Sequence, residues 1–313
     1  MRSLLVTVTA TAAGGASGAV QPDGPFNFFT NVAVKQPNGQ TMYQVSSGYH
    51  SGMIQKYGYY RAESDPRADP PFAYSATTAT FAFRIPFELD LRDALGALPN
   101  KDAAAPFSLE LTANSLSNVF GAIASSPTFT VEAWLEAYDQ PPSVLNGAPV
   151  DTTPPNMNTL QRWTEQNITI TPGSFDARVR KLGNYVRMLI PILRTSSGAR
   201  TDADWPDPAQ IVLDEDTKDN ISKANWQRWV WEMYGYGPAG STVDSFTAGL
   251  SGRDTGIYPV PYHVDGRSAD ENANLYLPTI ESEDYLIRGQ NWGASAAKIS
   301  CLVCEVLPQG DIF

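Results

Sequence analysis

Two stretches of this chain follow one plan, about half its length apart. "FNFFTNVAVKQPNGQT" (Phe26–Thr41) and "GNYVRMLIPILRTSSGAR" (Gly183–Arg200) both run from an aromatic start through apolar residues to a basic residue and a Gly turn. Between them, "DQPPSVLNGAPVDTTPPNMNT" (Asp139–Thr159) holds five prolines and no periodic apolar pattern. That is the composition of an extended, exposed linker. Other pairs keep the same order: Tyr57-Gly58 with Tyr234-Gly235, Pro86-Phe87 with Pro261-Tyr262, and Glu136 with Glu305. The offset between partners jumps once, between Gly198 and Tyr234. A chain so written is a duplicated domain.

The repeated unit is made of strands. Period-two or short apolar runs bounded by turn residues predict strands at Leu4–Thr11, Phe28–Val34, Thr41–Val45, Thr80–Leu89, Phe107–Leu111 and Phe129–Ala137. After the linker they recur at Ile168–Thr171, Phe175–Arg180, Tyr185–Leu193, Gln210–Leu213, Ile257–His263, Tyr285–Arg288 and Ile299–Leu307. The first of these, Val6-Thr7-Val8-Thr9, lies in a start that superficially resembles a secretory signal, but its alternation reads as an opening strand. With 24 Gly, 24 Pro and only 18% charged residues, the composition suits many short elements joined by turns. Each half is expected to carry one short helix closed by its Tyr-Gly pair. "SGMIQKYG" is capped by Ser51, and "NISKANWQRWVWEMYG" by Asn220, with Trp226, Trp229, Val230 and Met233 on one apolar face. That face is expected to pack on its barrel rather than to serve as a ligand platform.

The formal net charge of −11 and the lack of a basic arm offer nothing for nucleic acid or an anionic membrane. No segment reaches transmembrane length. Cys301 and Cys304 form a C-x-x-C, but two thiols do not complete a zinc site. On a strand, residues three apart point to opposite faces, so both read as free thiols.

A search for chemistry finds little. The two histidines, His50 and His263, read as loop or barrel-rim residues, and no G-x-S-x-G is present. Glu132 and Glu136 share a strand face about 13 Å apart, beyond the roughly 5–9.5 Å of a glycosidase pair. Glu281 and Glu283 fall about 7 Å apart on an extended chain, but among turn residues, where a solvated loop is expected. "DEDTKDN" (Asp214–Asn220) lacks the glycine and spacing of an EF-hand loop, and acids ahead of a helix suit its dipole. Asn167-Ile-Thr169 and Asn220-Ile-Ser222 are sequons, relevant only to a secreted eukaryotic protein. No catalytic, metal-binding or cofactor-binding residue is assigned.

The chain resembles the double jelly-roll major capsid proteins of tailless icosahedral viruses, the internal-membrane lineage, with a bacteriophage as the expected source. The resemblance is architectural. It rests on "PFNFFTNVAVKQPNG" and "GNYVRMLIPILRTSSGARTDADWP", a short helix in each half, and the final strand "AKISCLVCEVLP". It implies an all-β fold of two tandem eight-stranded antiparallel jelly-roll barrels: residues 1–140, a Pro-rich linker over 141–159, and residues 160–313. It implies further a non-enzymatic homotrimer that builds pseudo-hexagonal capsomers of a virion shell assembled in the host cytoplasm. Neighbouring capsomers and minor capsid or vertex proteins would be its partners, with an internal membrane on the inner side and no direct nucleic-acid contact. Two rivals share the composition: an extracellular carbohydrate-binding or glycoside-hydrolysing β-sandwich, and a bacterial surface protein.

Overall fold

Val6, Val8 and Ala10 alternate with Thr7, Thr9 and Thr11, and the chain opens as the strand that this pattern predicts: Ser3–Thr11 (β1), with Val6, Val8 and Ala10 buried. The structure is a computed structural model. It describes residues 1–11, 21–58, 70, 72–74, 78–89, 95–100, 104–119, 127–138, 144–145, 148–149, 159–180, 183–234, 254–263 and 275–308. Most of the proline-rich linker lies outside these residues.

In the first half β1 is followed by β2 (Phe29–Lys35), β3 (Thr41–Val45), helix α1 (Gly48–Tyr57), β4 (Phe72–Tyr74) and β5 (Thr78–Pro86). Next come β6 (Ser108–Ala113), the short helix α2 (Leu116–Val119) and β7 (Thr128–Glu136). A two-residue pair, β8 (Val144–Leu145) and β9 (Ala148–Pro149), lies in the linker region. The second half holds β10 (Thr159–Thr169), β11 (Gly173–Arg178), β12 (Tyr185–Thr195), β13 (Ala209–Leu213), β14 (Asp216–Ile221) and helix α3 (Lys223–Tyr234). It ends with β15 (Val260–Pro261), β16 (Leu277–Pro278), β17 (Tyr285–Trp292) and β18 (Ala296–Pro308).

The second half is a complete barrel. One sheet runs β15-β12-β18-β10 and the facing sheet β11-β17-β13-β14. The chain crosses between the sheets as it proceeds, which is the wrapping of a jelly roll. The first half repeats this order. Its sheets β5-β1-β7 and β6-β2-β3 match β15-β12-β18 and β17-β13-β14 strand for strand, with α1 standing where α3 stands. Thus β1 is the counterpart of β12, and β2 that of β13. Three sequence matches, at Tyr57, Pro86 and Glu136, therefore join equivalent places. The match of the two opening stretches, Phe26–Thr41 with Gly183–Arg200, does not, since it aligns β2 with β12. What those two stretches share is local: Gly39 and Gly198 both sit at φ +85° and donate to the carbonyl three residues back, Gln36 and Thr195. Only a residue without a Cβ takes that conformation freely.

The barrels are fused rather than strung on a linker. Strand β10 pairs in parallel with β3, Trp163 opposite Tyr43 and Thr164 opposite Gln44, so one eight-stranded sheet runs through both halves. Apart from this join, every described strand pair is antiparallel. A buried core continues across it from Val6 and Phe83 to Ile190 and Cys301.

Both helices form, with caps at residues other than those expected. Ser47, not Ser51, caps α1, its side chain accepting from Tyr49 N at 3.1 Å. Ser222, not Asn220, caps α3 through Asn225 N at 3.3 Å. Asn220 is held in β14, because "DEDTKDN" forms a hairpin turn and an edge strand rather than a helix approach. Asp214 turns that corner at φ +55°, and its carboxylate accepts from Glu283 N and Asp284 N. Gly58 closes α1 with a bond to Ile54 O at 2.8 Å. Gly235 lies outside the described residues. The apolar face of α3 packs as expected: Trp226 and Val230 are buried, and Trp229 and Met233 pack against the core.

Candidate assembly interface

The polar side chains of greatest interest collect at the joint between the barrels. His50 was expected at a rim; it lies inside α1 and is buried. Its Nδ1 meets Glu165 Oε2 of β10 at 2.8 Å, and its Nε2 meets Arg194 Nη2 of β12 at 3.2 Å. A guanidinium only donates and a carboxylate only accepts, so the ring donates from Nδ1 and accepts at Nε2. This is the neutral tautomer, fully used as a connector between halves.

Glu165 also accepts from Ser46 N and Ser46 Oγ, both at 2.6 Å, and from Asn167 Nδ2 at 2.9 Å. Burial opposes its charge, but the hydrogen bonds donated by His50 and Ser46 outweigh that and hold the carboxyl well below the usual range. Asp23 of the first half bridges Arg194 at 2.6 Å and Arg200 at 2.9 Å. These two guanidinium groups overcome burial and keep Asp23 ionised below its ordinary pKa. Arg200 lies 4.7 Å over the ring of Tyr49. Asp254 of the second half accepts from Lys56 Nζ at 2.7 Å and Tyr57 Oη at 2.9 Å, both on α1. Below this, buried Arg187 donates to Gly58 O and to Gln161 Oε1. Every link of this chain of contacts crosses, or braces, the seam between the two barrels.

His263, also expected at the rim, is buried, and burial together with nearby Arg187 pushes its pKa down to about 3. Glu136 is paired with Arg84 and accepts from Ser3 Oγ at 2.7 Å, while Glu132 lies on the exposed strand β7. Glu281 and Glu283 sit on the bend before β17, both exposed. The cysteines are free and both buried on β18. Cys304 accepts from Arg187 Nε at 3.4 Å in the seam, and burial raises both thiols.

Trp163, Trp205, Trp226 and Trp292 of the second barrel are interior. Trp205 stacks on Tyr258 at 4.2 Å and meets Trp226 and Trp292 edge-on. Among the described residues the exposed large apolar groups are Val131, Trp134 and Leu135 on β7, then Tyr185, Trp231, Leu275 and Ile280.

No family model and no curated protein sequence matches this chain. Solved structures do. STIV MCP superposes over 99% of this chain and 90% of its own, at a TM-score of 0.60 and 15% identity. The major capsid protein of bacteriophage PM2 matches over 98% and 89%, at 0.50 and 10%. PBCV-1 VP54, fitted into the virophage Sputnik, matches over 97% and 86%, at 0.58 and 10%. This is the double jelly-roll fold of viral major capsid proteins. The double jelly roll accounts for the repeat, for the helix in each half after the same strand, and for the two barrels standing side by side. At such low identity the shared feature is the packing scheme, and the buried His50–Glu165–Arg194 connection is read from this chain alone. Nothing in the sequence announced that connection, since its members come from α1, β10 and β12, far apart along the chain.

Proposed function

We propose that this chain is the building block of an icosahedral virion shell, acting as structure and not as an enzyme. The observation that carries this is the repeat itself: two barrels of one topology, joined edge to edge through β3 and β10. Three such chains present six similar barrels around one axis, so a threefold oligomer fills a sixfold position of a closed lattice. The solved proteins that share this packing scheme are major capsid proteins, which supports the reading. In it, residues 1–140 and 160–313 are the two shell-forming barrels and 141–159 the span between them. Neighbouring capsomers and vertex proteins surround the trimer, and a membrane lies on its inner side. The joint inside the chain is the template for the joint between chains. The polar edge strand β14 is the counterpart of β3 and so the matching edge offered to a neighbour.

Light scattering on the purified protein should give three times the chain mass of 34.0 kDa, or assemblies built from that unit. Electron microscopy of the source should show icosahedral particles containing it. A strict monomer at micromolar concentration, with no particles in the source, would overturn the reading. The carbohydrate-binding alternative loses four of its tryptophan platforms, because Trp163, Trp205, Trp226 and Trp292 are consumed by the core.

A further inference from the structure

The internal repeat is unequal at one flank. In the second barrel the sheet continues past β18 to β10, and the facing sheet past β17 to β11. Among the described residues of the first barrel, nothing lies beyond β7 or β6, the counterparts of β18 and β17. Each of these strands has one row of backbone groups without a neighbouring strand, a condition that folded proteins normally cover.

The side chains agree. Phe129, Val131, Ala133 and Leu135 stand opposite Ala10, Val8, Val6 and Leu4 of β1, which places them on the inner face. Phe129 stacks on Phe28 at 4.3 Å, inside the barrel. Yet Val131 and Leu135 are 43% and 44% exposed, whereas β18 is buried from Ile299 to Glu305. Across the opening, Leu109 and Leu111 of β6 are only partly covered. Among the described residues, the first barrel has an apolar slot two strands wide.

We infer that this slot is the seat of a strand–turn–strand segment of the same polypeptide, entering β1 from upstream of Met1. The second barrel shows the fitting occupant: β10 and β11, joined by a short turn, run antiparallel to β18 and β17 and lead directly into β12. Glu136 faces Ser3 as Glu305 faces Val186, so Met1 takes the place of Asn184, a residue in mid-chain. The backbone treats it so. Asn184 O accepts from Thr279 N at 3.1 Å, and Met1 O accepts from Leu98 N at 2.9 Å. Met1 N returns a bond to Leu98 O at 2.5 Å, one that a peptide N–H makes as readily as an amine. The inference stands on the repeat and does not depend on the shell-building role.

The test is the intact mass of the protein isolated from its native source, with hydrogen exchange read over Thr128–Glu136. The expected result is a chain heavier than 34.0 kDa by a segment about as long as 159–184, with amides of β7 as protected as those of β18. The same amides should exchange quickly in the 313-residue chain made alone. A native chain of 34.0 kDa would overturn the proposal, whether β7 is then open or covered by another molecule. A heavier chain with fast exchange in β7 would overturn it too.

Discussion

Buried ionisable residues set how this protein responds to acid. His263 titrates far below its ordinary value, so the unfolded chain takes up the proton before the folded one does. The stability gained from a neutral, buried His263 is complete above pH 6.5. It is lost progressively as pH falls toward about 3, at up to about 1.4 kcal/mol per pH unit within that window. His263→Gln should flatten the pH dependence of the urea midpoint between these limits, whatever it does to stability at neutral pH. An unchanged slope would show that other groups dominate. Asp23, Glu165 and Asp254 act at lower pH, because the seam holds each below its ordinary carboxylate pKa. Their contribution is complete above that ordinary range and is lost as pH drops below it. The cysteines give a second residue-scale prediction. With both thiols buried and raised, the native protein should not react with a thiol reagent, and the unreduced, denatured protein should show two free thiols. Fewer than two would mean that a disulfide forms.

At the scale of elements, α3 separates core from surface within one helix. Trp226 packs among Trp205 and Tyr258 and donates to Pro259 O at 3.0 Å, whereas Trp231 is 47% exposed. Trp226→Ala should cost about 3–5 kcal/mol in chemical denaturation, and Trp231→Ala no more than about 0.5. Gly58 makes a similar test of α1. A Cβ there would stand 2.6 Å from both Ile54 O and the Trp163 ring, so Gly58→Ala forces α1 away from β10. It should lower the melting temperature, and a melt unchanged by it would contradict the placement of Trp163. Most elements were readable because alternation and turn residues are local signals. The polar edge strand β14 was not: Asp216–Ile221 has the composition of a loop and becomes a strand only through pairing with β13. The start of β10 was missed for a related reason. Thr159–Asn167 mixes Leu160 and Trp163 with Gln161 and Arg162, and only pairing with strands on both sides buries Leu160, Gln161 and Trp163.

For the whole molecule, the shared sheet and the ionic seam predict a single unit of folding. Each buried carboxylate in the seam is paired with a cation from the other half or with a group reached across it. Breaking one member leaves its partner charged and buried, at a cost of about 3–5 kcal/mol. Calorimetry should therefore show one cooperative transition, and Arg194→Ala should destabilise both barrels together, as seen by tryptophan fluorescence and far-UV dichroism moving in step. Two separable transitions would mean that the barrels are joined only by the linker.

The sequence by itself determined the strand-rich duplication, the helix in each half, the reduced cysteines and the absence of a nucleophile motif. Each is written in period, turn residues or composition, and needs no knowledge of distant neighbours. Only the tertiary structure decided which strand answers which. "FNFFTNVAVKQPNG" and "GNYVRMLIPILRTSSG" share an apolar run and a left-handed Gly turn, yet β2 belongs with β13 and β12 with β1. A local pattern fixes where a strand bends, but hydrogen bonding to partners far along the chain fixes its place in the sheet. The same holds for His50. Its role as a neutral connector depends on Glu165 and Arg194, which reach it only after β10 has docked against β3 and closed the two barrels into one sheet.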